Sequence, residues 1–216
     1  MKTFSLTILT TLAFFPAALP MFGEVIVSDT AGGTSGSSSA FQAVSWTLTG
    51  TFNNVSIEAA LESNLPSQST GTAYLSDKVG SGAMSGDVLD TFAVSTNNNT
   101  PGVLIPLFSG LTLGPGTYYL SLLGNGGLYW IEAGSPVQTL NGATQGPDLI
   151  STGPIGTPAI STGFNDSTAG HLLFQVTGDP AATVTGTPEP SMIGFLSAGL
   201  GLLIFARRLR NRSQAL

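Results

Sequence analysis

The sequence predicts an all-β protein, an antiparallel β-sandwich with jelly-roll-like connections, for three reasons. Apolar side chains recur at every second position, as at Val55, Ile57, Ala59 and Leu61, which is the period of a half-buried strand. Gly, Asn, Ser and Pro separate these segments, and 28 Gly and 13 Pro occur in the 216 residues. Nothing in residues 24–180 is long or periodic enough for the helix of a βαβ crossover.

The predicted strands follow this alternation along the chain. The second strand places Val44, Trp46 and Leu48 on one face, and the third alternates most cleanly. Pro106 lacks the N–H that a central strand donates, so the sixth strand is expected at a sheet edge or a bulge. In order, the strands are Glu24–Asp29, Phe41–Leu48, Phe52–Leu61, Thr72–Ser76, Asp87–Val94, Val103–Phe108, Thr117–Leu123, Leu128–Glu132 and Leu172–Val176.

The seventh and eighth strands flank the turn Gly124-Asn125-Gly126-Gly127. Asn-Gly between alternating segments is the strongest short-range hairpin signal, so these two strands are expected to pair. A domain of roughly 155 residues is large enough to bury a core without disulfides. We expect that core to centre on aromatic and aliphatic strand residues, namely Trp46, Phe52, Ile57, Tyr74, Phe92, Leu120, Leu122, Trp130 and Phe174.

Two stretches depart from the strand pattern. Thr30–Ala40 is rich in Gly and Ser, which predicts a mobile loop. Ala133–Ala169 is mostly Gly, Pro, Ser and Thr, and a structureless loop of that length is either functional or disordered. Weak strands are expected in it around Val137–Leu140 and Asp148–Ser151.

The distribution of charge excludes several classes of function. The chain has six Lys and Arg and twelve Asp and Glu, but Lys78 is the only basic residue between Lys2 and Arg207. A domain with one lysine and no arginine cannot neutralise a run of phosphates, which argues against nucleic acid as a partner. With no cysteine, a zinc–thiolate site, a disulfide framework and a cysteine nucleophile are all excluded.

Residues 1–23 have the layout of a secretory signal peptide. Lys2 is followed by a mostly apolar run from Leu6 to Phe15 and then by a segment rich in Pro and Ala. We expect cleavage between Ala18 and Glu24. An uncleaved N-terminal anchor is the alternative interpretation, although the run is short for a hydrocarbon core of about 30 Å.

Residues 191–206 are predicted to form a single short transmembrane helix. Met192–Ala206 is an uncharged run of fifteen residues, and the basic tail 207–216 follows at once. Basic clusters remain on the cytoplasmic side, so the acidic domain 24–180 is expected on the opposite side of the membrane. The residues of this cytoplasmic stop are Arg207, Arg208, Arg210 and Arg212.

The segment before this helix, 181–190, contains Thr187-Pro188-Glu189-Pro190, and its prolines hold it extended. Pro188, Glu189 and Pro190, then an apolar helix, then an Arg cluster, together resemble the PEP-CTERM sorting signal of exported Gram-negative proteins. The resemblance implies that the Pro-Glu-Pro element is recognised by exosortase, a membrane protease-transpeptidase. It also implies that the helix is a transient inner-membrane anchor, and it associates the protein with extracellular polysaccharide.

The body resembles the choice-of-anchor extracellular β-sandwich domains that are often fused to such signals. Three stretches carry this resemblance: Gln42–Trp46, Ala73–Asp77 and Leu111–Leu120. In the last, an apolar strand end, a Pro-Gly turn and a strand with an inward Tyr follow one another. The resemblance implies a fold and brings no catalytic or ligand-binding residues.

No catalytic motif is recognisable in the body. His171 is the only imidazole, and no G-x-S-x-G nucleophile elbow accompanies it, so it is interpreted as a partly exposed residue at a strand start. Glycoside hydrolysis needs two facing carboxylates, but none of the acids sits in a recognisable catalytic motif, so they are interpreted as solvated surface acids. The available acids are Glu58, Glu62, Asp77, Asp87, Asp90, Glu132, Asp148 and Asp166.

Two kinds of ligand site remain open from the residues alone. Ca²⁺ binds carboxylate and carbonyl oxygens, so Asp77 with Asp87 and Asp90, or Asp166 near His171, would be candidate clusters. No D-x-[DN]-x-[DN]-G loop occurs, so no metal or cofactor is assigned. Tyr129 and Trp130 would make a sugar-stacking platform, whereas alternating aromatics in a sandwich are more often core.

These observations favour a non-enzymatic, exported surface or matrix protein. It would cross by the secretory route, pause in the inner membrane, and reach the cell surface or the extracellular matrix after processing near Pro188–Pro190. The first alternative is a lectin-like carbohydrate-binding module that uses the sandwich face or the Ala133–Ala169 loop. The second is a cryptic hydrolase that uses His171 or a carboxylate pair.

Overall fold

The computed structural model describes residues 23–30, 35–37, 41–63, 68–96, 103–125, 127–133, 138–139, 143–167 and 171–181. Across these ranges the chain is all-β, with two single-turn 3₁₀ helices at Ser85–Asp87 and Ala159–Ser161. The strands in chain order are β1 (Glu24–Asp29), β2 (Ser35–Ser37), β3 (Phe41–Leu48), β4 (Phe52–Ser63), β5 (Ser69–Ser76), β6 (Val88–Thr96), β7 (Leu104–Leu113), β8 (Gly116–Asn125), β9 (Leu128–Ala133), β10 (Gln138–Thr139), β11 (Ala143–Gln145), β12 (Leu149–Ser151), β13 (Phe164–Asp166), β14 (His171–Leu172) and β15 (Phe174–Pro180).

The strands form two antiparallel sheets. In sheet I the order is β10-β1-β15-β4-β9-β14, and β7 and β2 pair in addition with β4 and β9. In sheet II the order is β13-β12-β3-β8-β5-β6, and β11 lies beside β3. All of the strand pairs are antiparallel, as the alternation in the sequence predicted.

The two sheets pack face to face through their apolar side chains, as in a β-sandwich. One cluster of buried residues contains Trp46 and Leu120 from sheet II and Ile57 and Phe174 from sheet I. The Trp46 ring lies 5.9 Å from the Phe174 ring across the interface and is stacked on Tyr118 at 6.2 Å. Aromatic rings at such distances contribute about 0.5–1.5 kcal/mol beyond the area they bury.

The predicted hairpin at Asn125-Gly126 is wrong. Among the described residues β8 pairs with β3 and β5, whereas β9 pairs with β2, β4 and β14. The turn therefore carries the chain from sheet II to sheet I. Leu128 and Trp130 are buried in the core between the sheets, so packing rather than the turn dipeptide decides which strands pair.

The expectation for Pro106 is confirmed. Within the described part of the chain its strand, β7, pairs only with β4 and so lies at an edge of sheet I. The register between the two strands shifts between Ile57 and Glu58, which lie opposite Phe108 and Pro106. An edge strand with an irregular register accommodates a residue that has no N–H to donate.

Seven of the nine predicted core residues are buried, and Tyr74 and Phe92 are the exceptions. Phe92 is 40% exposed because β6 is the last strand of sheet II, so neighbours cover its ring from one side only. It meets Phe108 edge-on at 6.3 Å. Tyr74 lies half-buried on the outer face of sheet II, where its ring packs against Phe41.

Most of the described part of Ala133–Ala169 is ordered structure rather than a loop. The weak strands expected there are confirmed as β10 and β12, while β11 and β13 were not predicted. Residues 152–163, between β12 and β13, and the 77–84 loop lie over part of the outer face of sheet II. A second apolar cluster forms beneath them, with Phe41, Ala83 and Ile160 buried and Tyr74, Leu123 and Phe164 packed alongside.

The mobile-loop prediction for Thr30–Ala40 missed a strand, since β2 lies within that range and pairs with β9. Gly36 allows this pairing because a Cβ at its position would lie 2.6 Å from the Cβ of Tyr129. A glycine that permits close approach is thus part of a strand here, although composition alone indicates a linker.

Replacing Phe174 by Leu is expected to lower the free energy of unfolding by about 1–2 kcal/mol, because the ring is fully buried between the sheets. The matched change Phe92→Leu should cost less than about 0.5 kcal/mol, because that ring is partly exposed at an edge. Urea unfolding followed by tryptophan fluorescence measures both. Equal losses for the two variants would contradict this assignment of core and edge.

Candidate functional site

A buried carboxylate lies next to the only histidine of the chain. Asp148 immediately precedes β12 of sheet II, and His171 begins β14 of sheet I. One Asp148 oxygen, Oδ2, is 3.4 Å from Nδ1 of His171 and accepts the backbone N–H of Leu172 at 2.8 Å. The other, Oδ1, accepts an N–H from Gln145 at 3.3 Å. The carboxylate therefore joins the two sheets at this point.

The environments of the two side chains differ sharply. The Asp148 side chain is 2% exposed, whereas the His171 side chain is 48% exposed. Burial raises the pKa of Asp148 above its ordinary value of 3.8, and the Leu172 hydrogen bond and His171 oppose this shift. Since Nδ1 faces the carboxylate, Nε2 is the ring nitrogen available to solvent. The pair has the base-and-orienter arrangement of a catalytic triad.

Sequence reasoning missed this pair. Asp148 was among the available acids, but the acid expected near His171 was Asp166, which instead lies opposite Leu149 in the pairing of β12 with β13. The two partners are far apart in sequence and neither belongs to a motif. They come together because Asp148 precedes β12 in one sheet and His171 begins β14 in the other.

The acids proposed as a calcium cluster bind their own loop. Asp87 accepts the N–H of Met84 through Oδ2 at 2.7 Å, and Asp90 accepts that of Thr91 at 2.8 Å. The backbone N–H of Asp77 donates to the carbonyl of Asp87 at 3.1 Å. Over the described ranges, no three His, Asp or Glu side chains are arranged to hold a metal ion. The remaining acids, Glu58, Glu62, Glu132 and Asp166, lie on strands and are half-buried or exposed.

Trp130 is part of the core and does not form a stacking platform with Tyr129. Its side chain is 1% exposed, and its indole N–H donates to the carbonyl of Leu173 at 2.8 Å. Tyr129 is half-buried and alternates to the opposite face of β9. A sugar ring would therefore have no access to the tryptophan, so the core interpretation is confirmed and the alternative of a stacking platform is excluded.

A pocket of about 350 Å³ lies on the outer face of sheet II. Its floor includes Ser45 and Tyr119, which are directly opposite each other in the pairing of β3 with β8. Its walls come from the 77–84 loop and from residues 147–164. The lining residues are uncharged and combine aromatic rings, hydroxyls and glycine backbone: Ser45, Val79, Gly80, Ser81, Tyr119, Pro147, Leu149, Gly163 and Phe164.

The predicted sorting residues Pro188, Glu189 and Pro190 and the stop residues Arg207, Arg208, Arg210 and Arg212 lie outside the described residues. So do residues 1–22 of the predicted signal peptide and the predicted C-terminal helix. Among the residues that are described, no helix has the length and hydrophobicity needed to cross a bilayer. The last described contact of the domain is the hydrogen bond from the Ala181 N–H to the Thr51 carbonyl at 2.8 Å.

Comparison with known proteins adds no relative to this description. No protein-family model matches the chain, and neither a curated protein nor a solved structure matches it. The candidate sites therefore rest on the geometry of the chain itself, that is, on the Asp148–His171 pair and the pocket around Tyr119.

Replacing Asp148 by Ala should lower the free energy of unfolding by about 1–3 kcal/mol, because the buried Leu172 N–H loses its acceptor. Asp148→Asn keeps an acceptor oxygen without a charge. The pKa of Asp148 is higher in the folded protein than its ordinary value of 3.8, so the protonated form stabilises the fold. This stabilisation is fully present below pH 3.8 and is lost as the pH rises through the folded-state pKa. The Asn variant should therefore lose less stability than the wild type between about pH 4 and about pH 7.

Urea unfolding of the wild type and both variants at the two pH values measures these differences. His171→Gln serves as the control, since it removes the imidazole and leaves the Leu172 hydrogen bond in place. If the Asn variant were as unstable as the Ala variant at both pH values, a charged carboxylate rather than an acceptor would be required.

Proposed function

We propose that the protein is an exported, exosortase-sorted surface or extracellular-matrix protein whose acidic β-sandwich is non-enzymatic. The observation that carries this proposal is the C-terminal order of Pro188-Glu189-Pro190, an uncharged run of fifteen residues and an Arg cluster. The signal-peptide layout of residues 1–23 supports the same direction of transport. The sheet I strand β15 ends at Pro180, directly before the proposed linker 181–190, which is compatible with this organisation.

In this proposal the chain passes through the inner membrane of a Gram-negative bacterium by the secretory route. Residues 191–206 anchor it transiently, exosortase processes it near Pro188–Pro190, and the body is released to the cell surface or the matrix. The partners are exosortase, the inner membrane and extracellular polysaccharide, with no nucleic acid and no cofactor. Successive strands that pass from one sheet to the other, as β3, β4 and β5 do, support jelly-roll-like connections.

Carbohydrate binding is the second candidate function, and the pocket around Tyr119 favours it. The pocket is formed partly by residues 147–164, within the segment that the sequence singled out as functional or disordered. A glycan array probed with and without Ca²⁺ tests this function.

The hydrolase alternative would use the Asp148–His171 pair. However, the Asp148 carboxylate already accepts hydrogen bonds from the Leu172 N–H and from Gln145.

Deleting residues 188–216 is expected to change where the protein accumulates, because the deletion removes the sorting element, the anchor and the basic stop together. Cell fractionation and intact-mass analysis of protein from cells and medium measure the outcome. The wild type should end near residues 188–190 in the surface or medium fraction, whereas the deletion should yield no exosortase-processed form.

Glu189→Ala is the finer variant, and Glu62→Ala, which changes a strand glutamate, is its matched control. We expect full-length chain to accumulate in the membrane fraction for Glu189→Ala only. Unchanged fractionation and unchanged C-terminal mass in both the deletion and the Glu189 variant would refute the sorting proposal.

A further inference from the structure

We infer that the pocket on the outer face of sheet II binds a neutral saccharide unit through the Tyr119 hydroxyl. This inference rests on carbohydrate binding, the second candidate function, and adds to it the site and the charge of the ligand. The pocket volume of about 350 Å³ lies at the lower end of the range of small-ligand sites. A site of this size accommodates one or two sugar rings.

The lining has the two kinds of surface that a sugar ring requires. Tyr119 and Phe164 supply aromatic surface for the apolar C–H face of a ring, and both are half-buried. Ser45 and Ser81 supply hydroxyl oxygens that can accept hydrogen bonds. Mostly apolar walls with a few convergent polar groups are typical of ligand pockets.

The Tyr119 hydroxyl has no hydrogen-bond partner within the described part of the chain, and Tyr119 lines the pocket. A ligand hydroxyl can therefore bond to it without displacing a hydrogen bond of the protein, in place of the water that would otherwise do so.

The walls of the pocket are held by backbone hydrogen bonds between the segments that form it. Gly80 donates to Ile160 at 2.8 Å, Gly146 donates to Ser45 at 2.9 Å, and Thr152 donates to Gly163 at 3.1 Å. The Ser45 hydroxyl donates to the Pro147 carbonyl at 3.1 Å. These bonds tie the cover to the sheet, and a preformed pocket loses less entropy when a ligand binds.

The charge of the site selects neutral ligands. None of the lining residues is charged, and the one lysine of the domain, Lys78, donates its ammonium N–H to the Gly82 carbonyl at 2.9 Å. The chain carries twelve Asp and Glu, all between Glu24 and Glu189. A uronic acid would be repelled by this field and would find no cationic partner in the lining.

The test uses the full chain in a polyoxyethylene detergent, which carries no sugar, and follows amide chemical shifts during titration. The probes are neutral hexoses (glucose, galactose and mannose) and the corresponding uronic acids. We expect shifts around Ser81, Tyr119 and Phe164 with a neutral sugar and none with its acid. Tyr119→Phe should weaken that binding about fivefold to tenfold, the effect of one hydrogen bond.

Tyr74→Phe is the matched control, because it removes a hydroxyl from the same sheet face outside the pocket lining, and its affinity should not change. Ser81→Trp, at an exposed loop position, should abolish binding by filling the pocket. If a neutral sugar binds but Tyr119→Phe and Ser81→Trp leave its affinity unchanged, the pocket assignment is overturned while carbohydrate binding stands. Equal binding of the uronic acids overturns the neutral selectivity. If no probe changes the amide shifts and no glycan on the array binds, both the pocket assignment and carbohydrate binding are overturned. The export proposal is unaffected by that outcome.

Discussion

The contact between the inner faces of the two sheets is the constraint on which the rest of the structure depends. Each sheet has an apolar face that is stable only when the other covers it, and Trp46 and Phe174 meet at the centre of that contact. Connections such as those from β3 to β4 and from β8 to β9 pass between the sheets. Strand pairing therefore follows from which face each strand buries, and chain neighbours are often not sheet neighbours.

Polar contacts satisfy backbone groups that apolar packing alone leaves without partners. Within sheet I, the Leu173 carbonyl, between β14 and β15, accepts N–H groups from Trp130 at 2.8 Å and from Ala60 at 3.1 Å. Asp148, from sheet II, accepts the Leu172 N–H and so joins the two sheets. Burying a carboxylate is costly, which is why its pKa is raised, but leaving a buried N–H without an acceptor would also destabilise the fold.

The two faces of sheet II differ in a way that bears on function. Its inner face packs directly on sheet I, so side chains fill that space. Its outer face is covered by irregular segments, which follow the sheet less closely and leave a pocket between Tyr119 and Phe164. A ligand site thus arises where loops meet a rigid sheet, as is common for binding residues carried on a scaffold. The sequence marked Ala133–Ala169 as an unusual segment, but it gave no indication of a pocket.

The sequence by itself determined that the chain is all-β, where most strands lie, and that the strand of Pro106 lies at an edge or a bulge, because alternation and the missing N–H are local properties. It also carries the proposed targeting segments, which are contiguous patterns. Only the tertiary structure decided that β8 and β9 lie in different sheets, that Phe92 is partly exposed and that Asp148 contacts His171. These features depend on which distant strands pack together. A period of two residues shows which side chains share one face of a strand, but it does not show what packs against that face.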